Sequence, residues 1–391
     1  MPIIFFEGFN YNNSDTLRLD PFCWSTNSSP SISFGAGRTG NAVRIAPRPI
    51  NSGLAHNATL TLSNFDDPLV SHSGFGLGFW CSAYQIKTNN NNASPPYAEN
   101  LISFYNNSTE VLRIDVIKTT YNSQTSMGFG IYQNGTLLDT YDLSSPIGRS
   151  WVIGESSTVR YIMNDSYIEI YINPALGQMA MRFSASNSYN THLLNSSSGI
   201  YTNINSFNSL KSIKYYATND QISTGAMDDL YLTAGNNSSE CLLGQDTKIY
   251  SIVPNGDSST MQWKARVNNS ETSPSFSYVD DNNGDSGYIY SSTSGNACLF
   301  NMSNIDGSAP PNVGGIKIIN VVKKIDLNSN MNFTNIMTSG IGGTIKEIGS
   351  GYLVDSTSYN YKNTFLFNNP ITSGSWTKQQ VDNMQLGVKI V

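Results

Sequence analysis

Two short runs carry the residue types of a serine nucleophile, Gly284-Asp-Ser-Gly287 and Gly256-Asp-Ser258. A nucleophilic serine needs a histidine placed to take its proton, and the protease form of the first run continues with glycine where Tyr288 stands here. The histidines are His56, His72 and His192, so none lies downstream of Ser258, where an esterase of the second type would place its base. Gly, Asp, Ser and Asn favour tight turns, and both runs are read as turns. A glycosidase would need two carboxylates converging on a sugar-binding groove. Glu169 has Asp165 at even spacing, but no second Glu completes a Glu-x-Asp-x-x-Glu arrangement, and Glu169 is expected as a solvated residue on an outer strand face. No catalytic residue and no enzyme activity are therefore expected.

Metal chemistry is narrowed the same way. Three scattered histidines and four scattered cysteines, without Cys-x-x-Cys or His-Glu-x-x-His, argue against zinc. Hard oxygen ligands for calcium could come from Asp228 and Asp229 beside a closing strand, or from Asp280 and Asp281 with Asn282 and Asp285 in a polar loop. That loop lacks EF-hand spacing, and turn or strand-end hydrogen bonding is the alternative role for the same residues. No other cofactor is expected. Cys23 with Cys81, and Cys241 with Cys298, would allow one bridge per domain, although a reducing compartment favours free buried thiols. Exposed Tyr, Trp and Asn on a sandwich rim could stack on sugars and bond their hydroxyls; the competing reading makes Trp24, Trp80, Trp151, Trp263 and Trp376 core or interface anchors.

These residues must be positioned by strands. In Tyr167–Asn173 the residues Ile168, Ile170 and Ile172 share one face and Tyr167, Glu169 and Tyr171 the other, the period of a half-buried strand. Leu112, Ile114 and Val116 alternate with Arg113 and Asp115; Phe75, Leu77 and Phe79 with Gly76, Gly78 and Trp80; Met179, Met181 and Phe183 with Ala180 and Arg182. Apolar faces of this kind must be buried on a second sheet, so the fold class is all-β, with two tandem β-sandwich (jelly-roll) domains. One short C-terminal helix is expected in 375–384, with Ser375 as a candidate cap. The break Ala234-Gly-Asn-Asn-Ser-Ser-Glu240 divides the chain into domains at 1–233 and 249–391, with a linker at 234–248. Ile316–Ile319 and Phe365–Phe367 are expected as core strands of the second sandwich.

Composition excludes several partners. With 22 Lys and Arg against 28 Asp and Glu and no basic run, the footprint for nucleic-acid phosphates is missing. No stretch reaches the roughly 18 apolar residues of a membrane span, and Met1–Asn10 lacks the features of a signal peptide, so a soluble protein made in a cytoplasm is expected. The sequons, such as Asn57-Ala-Thr and Asn134-Gly-Thr, follow from a chain that is about a quarter Asn and Ser.

Four runs in order, Phe6-Glu-Gly-Phe9, Ser33–Ile45 with its Gly-Arg-Thr-Gly turn, Gly74–Trp80 and Met227-Asp-Asp-Leu-Tyr-Leu232, resemble the concanavalin A-like (laminin G-like) jelly roll of phage structural proteins. Tyr250–Asp257, Trp263, Tyr278–Asp281, Asp285–Tyr288, Gly374–Thr377 and Gly387–Val391 resemble a virion structural module of tailed phages. The resemblance implies a non-enzymatic bacteriophage virion protein. Its expected place is an exterior decoration or accessory role on head or tail, contacting other capsid or tail proteins as a homo-oligomer. The alternative it leaves is a tail adhesin that binds a host surface glycan.

Overall fold

The two-residue alternation of Ser166–Asn173 places Ile168, Ile170 and Ile172 in an apolar core with no exposure, against the neighbouring strands Gly74–Ser82 and Gln178–Ala185. The computed structural model describes residues 3–9, 24–26, 32–36, 38, 41–45, 57–62, 67–82, 84–87, 98–121, 124–142, 152–155, 158–163, 166–185, 188–193, 204–216, 225–279, 286–325 and 330–391. They form two compact units, Met1–Ile249 and Tyr250–Val391.

The first unit holds two large antiparallel sheets. One runs Ser188–Leu193, Gln178–Ala185, Ser166–Asn173, Gly74–Ser82, Gly225–Gly235, Asn41–Ile45, Ile32–Ala36, with Ile3–Glu7 also paired to Gly225–Gly235. The second runs Thr136–Asp142, Gln124–Gln133, Thr109–Tyr121, Ala98–Asn106, Ser212–Tyr216, Asn57–Thr61, Trp24–Thr26. Phe75 meets Phe104 at 5.7 Å and Phe79 meets Tyr215 edge-on at 5.8 Å, so the inner faces of the two sheets close on each other as a sandwich. The segment after Gly235, read from composition as a linker, belongs to this unit: Asn237 caps the short helix Ser238–Cys241, and Cys241 and Leu242 are buried.

The second unit is built on the sheet Pro254–Met261, Ala297–Met302, Gln385–Ile390, Met331–Thr338, Lys346–Val354. The ribbon of Ile316–Val322 with Asn360–Leu366 lies on it and sends Ile316, Ile318 and Leu366 into a core with Met337, Ile348, Trp376 and Leu386. The other edge of each ribbon strand, with Ile319, Val321 and Phe365, alternates away from that core. Asn320 and Asn335 bond at 2.9 Å, Asn335 donates to Thr364 at 2.7 Å, and Tyr352 meets Thr364 at 2.6 Å, so a polar chain ties ribbon to sheet. The C-terminal helix is Lys378–Asn383, and Thr377, not Ser375, caps it in a capping box with Gln380. It starts late because Trp376 and Thr377 first pair as a strand with Asn312–Val313.

Cys81, Cys241 and Cys298 are free and buried, and Cys23 lies outside the described side chains. Burial pushes the Cys81 thiol up to about 12, and those of Cys241 and Cys298 up to about 11. A folded-state value above the unfolded one contributes stability below pH about 9 that is lost as pH rises through the folded value. Stability to urea is therefore expected to fall between pH about 9 and 12, and a thiol reagent at pH about 8 to label Cys81, Cys241 and Cys298 of the native protein only at the rate of unfolding. Rapid labelling of all three thiols in folded protein would contradict this burial.

Candidate functional site

The outer face of the eight-stranded sheet gathers the chemistry-bearing residues of the first unit. Glu169 pairs in register with Gly78, which in turn pairs with Tyr231. A side chain on Gly78 would occupy the position of the Tyr231 ring, so glycine there lets the tyrosine lie across its strand and donate its hydroxyl to Glu169 Oε1. The same oxygen accepts the Gly244 N–H at 2.6 Å, and Tyr231 Oη accepts the Leu243 N–H at 2.9 Å. Gly76 makes room in the same manner for the Cys241 backbone, whose carbonyl accepts from Thr233 at 2.7 Å.

Segment 236–249 therefore roofs this face. Tyr171 donates to Asn236 O at 2.8 Å, and Arg38 donates to Gln245 O at 2.5 Å and to Thr247 O at 2.9 Å. Arg38 also lies 5.2 Å over the Tyr167 ring. Glu169 is 3% exposed, which corrects its expected solvated position: the face is outer to the sandwich but inner to the roof. Burial, then the neighbouring Glu169 and Asp229 charges, hold Tyr167 well above the usual tyrosine range; burial, then Tyr167 and Glu169, do so for Tyr231. Asp165 lies outside the described residues, so no carboxylate pair is described at Glu169.

Asp228 and Asp229 sit at a bulge in Gly225–Gly235, where the register against Gly74–Ser82 shifts and Asp229 takes φ 48°. Both are fully buried. Asp228 accepts the Arg38 N–H and the Asp229 N–H, each at 2.8 Å, while Asp229 accepts the Ile249 N–H at 2.7 Å and faces the Arg38 guanidinium at 3.6 Å. Their oxygens thus face N–H donors, and no group of three metal-ligating side chains occurs among the described residues. Asp280 and Asp281 lie outside the described residues. Among the described residues Ser258 bonds its own strand at Thr260, and His72 bonds Ser71, so the serine motifs acquire no described base.

The remaining buried carboxylates follow the same rule. Asp67 caps Pro68–Ser71 through Leu69 N, and also takes Ser209 Oγ at 2.7 Å and Lys211 Nζ at 3.1 Å. Burial alone would raise its carboxyl, but these donors outweigh burial and hold it below the usual range. Glu7 takes the Phe9 N–H, and Asp115 takes Arg113 Nε at 2.9 Å.

The outer face of the seven-stranded sheet has a different character. Arg113 bridges Asp115 and Glu110 and lies 4.6 Å over the Tyr132 ring; Tyr105 meets Glu110 at 3.4 Å and Tyr216 at 3.2 Å, and Lys214 lies 4.1 Å over the Tyr105 ring. Cross-strand register puts Ser103 between Arg113 and Lys214. Arg113, Tyr132, Tyr105 and Lys214 are part-exposed, so this face presents aromatic rings and charges in a fixed grid. Of the tryptophans, Trp80 and Trp376 are buried and Trp263 is part-exposed.

No family model matches this chain, and no curated protein matches it. Among solved structures it is similar to an engineered GH43 glycoside hydrolase at 8% identity and TM-score 0.32, covering 60% of this chain and 41% of that one. It is also similar to the Ca2+/Man3GlcNAc-bound exoplasmic/lumenal domain of VIP36 at 7% identity and TM-score 0.30, covering 58% and 90% of the two chains. A third is the metal-free lectin I-B4 from Griffonia simplicifolia, at 11% identity and TM-score 0.25, covering 54% and 98%. The fold assignment rests on the strand pairing of this chain itself. No described helix is long and apolar enough to cross a membrane.

Proposed function

We propose that this chain is a non-enzymatic structural protein of a bacteriophage particle, an exterior decoration or accessory component of head or tail that works through its surfaces. One observation supports the non-enzymatic reading most directly. Every buried carboxylate among the described residues, Glu7, Asp67, Asp115, Glu169, Asp228 and Asp229, holds an internal N–H, hydroxyl or cationic donor, which leaves acid–base groups serving as braces. The phage setting rests on the order of the sequence runs that resemble virion modules. Weakly charged surfaces rich in Asn, Ser and Tyr suit wet protein contacts, which form without desolvating many charges. Electron cryo-microscopy of intact particles tests this: two all-β bodies in symmetric copies on the exterior are expected, and particles without such density would refute it.

The grid on the seven-stranded sheet favours a second reading, host-glycan adhesion. Tyrosine rings beside fixed Arg, Lys and Glu groups suit sugar stacking and hydroxyl bonding. On an array of bacterial surface glycans, binding by the full chain is expected to fall about tenfold in Tyr132→Ala. Silence across the array would remove this reading and leave the structural one standing.

A further inference from the structure

Residues 250–391 contain a single arginine, Arg266. It stands on Lys264–Val267, the middle strand of a three-stranded sheet, directly across from Glu271 on one side and Tyr288 on the other. Lys264 pairs with Tyr290, so Lys264, Arg266, Glu271, Tyr288 and Tyr290 share one face. The acid that register places opposite Arg266 is engaged elsewhere: Glu271 takes Lys264 Nζ at 2.7 Å and the Tyr290 hydroxyl at 2.6 Å. Lys264 thereby neutralises Glu271, and among the described residues of this face the positive charge of Arg266 is left over.

The guanidinium lies 5.7 Å over the Tyr290 ring, which holds it in place. Its Nε is shielded from solvent and has no acceptor among the described residues. An N–H kept from water without an acceptor is unfavourable, and a turn of this part-exposed side chain that brings Nε to an arriving oxyanion removes that penalty. Beside it the Tyr288 ring stands 6.1 Å from that of Tyr290, tilted by 58° and part-exposed. A planar N–H fork next to an aromatic ring matches a ligand that joins an oxyanion to a ring with an apolar face.

We propose that this face binds an acidic sugar, its carboxylate or phosphate on Arg266 and its ring against Tyr288. The site uses none of the residues of the sheet grid described above, so it stands or falls separately from glycan binding by the first domain.

Calorimetry on the full chain with trigalacturonate, glucose 6-phosphate and maltotriose tests it. At least one charged probe is expected to bind and maltotriose to bind far more weakly; the first probe alone identifies a carboxylate, the second alone a phosphate, and both together a general oxyanion site. R266Q is expected to weaken the charged probe about tenfold or more, and R266K nearly as much, because an ammonium is a point charge without the fork. Tyr288→Ala should also weaken it, with Tyr132→Ala unaffected. Both arginine variants change a part-exposed side chain, and matching circular dichroism spectra confirm that they fold. Binding of neither charged probe, unchanged affinity in R266Q, or equal affinity for maltotriose would overturn the proposal.

Discussion

Replacing Glu169 by alanine is expected to lower the unfolding free energy of the first domain by about 3 kcal/mol. The substitution strands two donors together, the buried Tyr231 hydroxyl and the part-buried Gly244 N–H, both of which converge on Glu169 Oε1. Each unsatisfied buried donor costs about 1–3 kcal/mol, and the vacated carboxylate volume adds a smaller packing loss. The effect should be local before it is global. Leu243 N bonds Tyr231 Oη, so losing the tyrosine's anchor loosens the next attachment of the roof as well. Hydrogen exchange read by mass spectrometry should show faster exchange across 236–249, while the inner strand amides of Ser166–Asn173 change only by the global loss. Glu169→Gln keeps an acceptor in place and should recover at least half of the lost stability. If alanine costs under about 0.5 kcal/mol, the carboxylate is not a brace and its acid–base capacity is not consumed by structure.

The strands themselves were legible because their period is a local property. Ile168, Ile170 and Ile172, or Phe75, Leu77 and Phe79, announce an apolar face within a few residues, and those faces meet in the sandwich core. The opposite face was misread because a period of two says only which residues face away from one sheet, not what lies beyond. Glu169 meets Gly244 across 75 positions, and Arg38 meets Thr247 across 209. No window of sequence contains such a contact. The roof also looked like a linker, since Gly, Asn and Ser serve a flexible connection and a turn-rich brace equally well. One signal was present: Gly76 and Gly78 alternate with the large apolar residues of a central strand, and glycine there often marks a close approach by another chain segment. In the second domain, the apolar runs at Ile316 and Phe365 were correctly strands, but only alternate residues reach the core because the ribbon is a cover with one buried face. The helix was found and its cap was misplaced by two residues, since the pairing of Trp376 with Val313 is again non-local.

Gly387→Ala is expected to destabilise the second domain by about 3 kcal/mol, at the upper end for an added methyl group. Gly387 lies on the central strand Gln385–Ile390, between Leu299 and Ile336 on its two neighbours. An added Cβ would overlap the Cys298 carbonyl oxygen and stand 2.8 Å from both the Cys298 carbonyl carbon and Leu299 Cα. These are backbone atoms in the adjoining strand, so no rotamer change relieves the overlap. The strands must separate, which weakens the ladder that carries Phe300 and Leu386 toward the core. Gly349 is the matched control, because at φ 71° it has nothing within 4 Å of its added Cβ. Gly349→Ala should cost only the left-handed backbone penalty, about 1 kcal/mol. Urea unfolding followed by hydrogen exchange across Gln385–Ile390, the strand that carries Gly387, separates the two cases. An equal shift in both variants would mean that the neighbouring strand yields to the added methyl group, so the close contact with Cys298 and Leu299 is not why glycine stands at position 387.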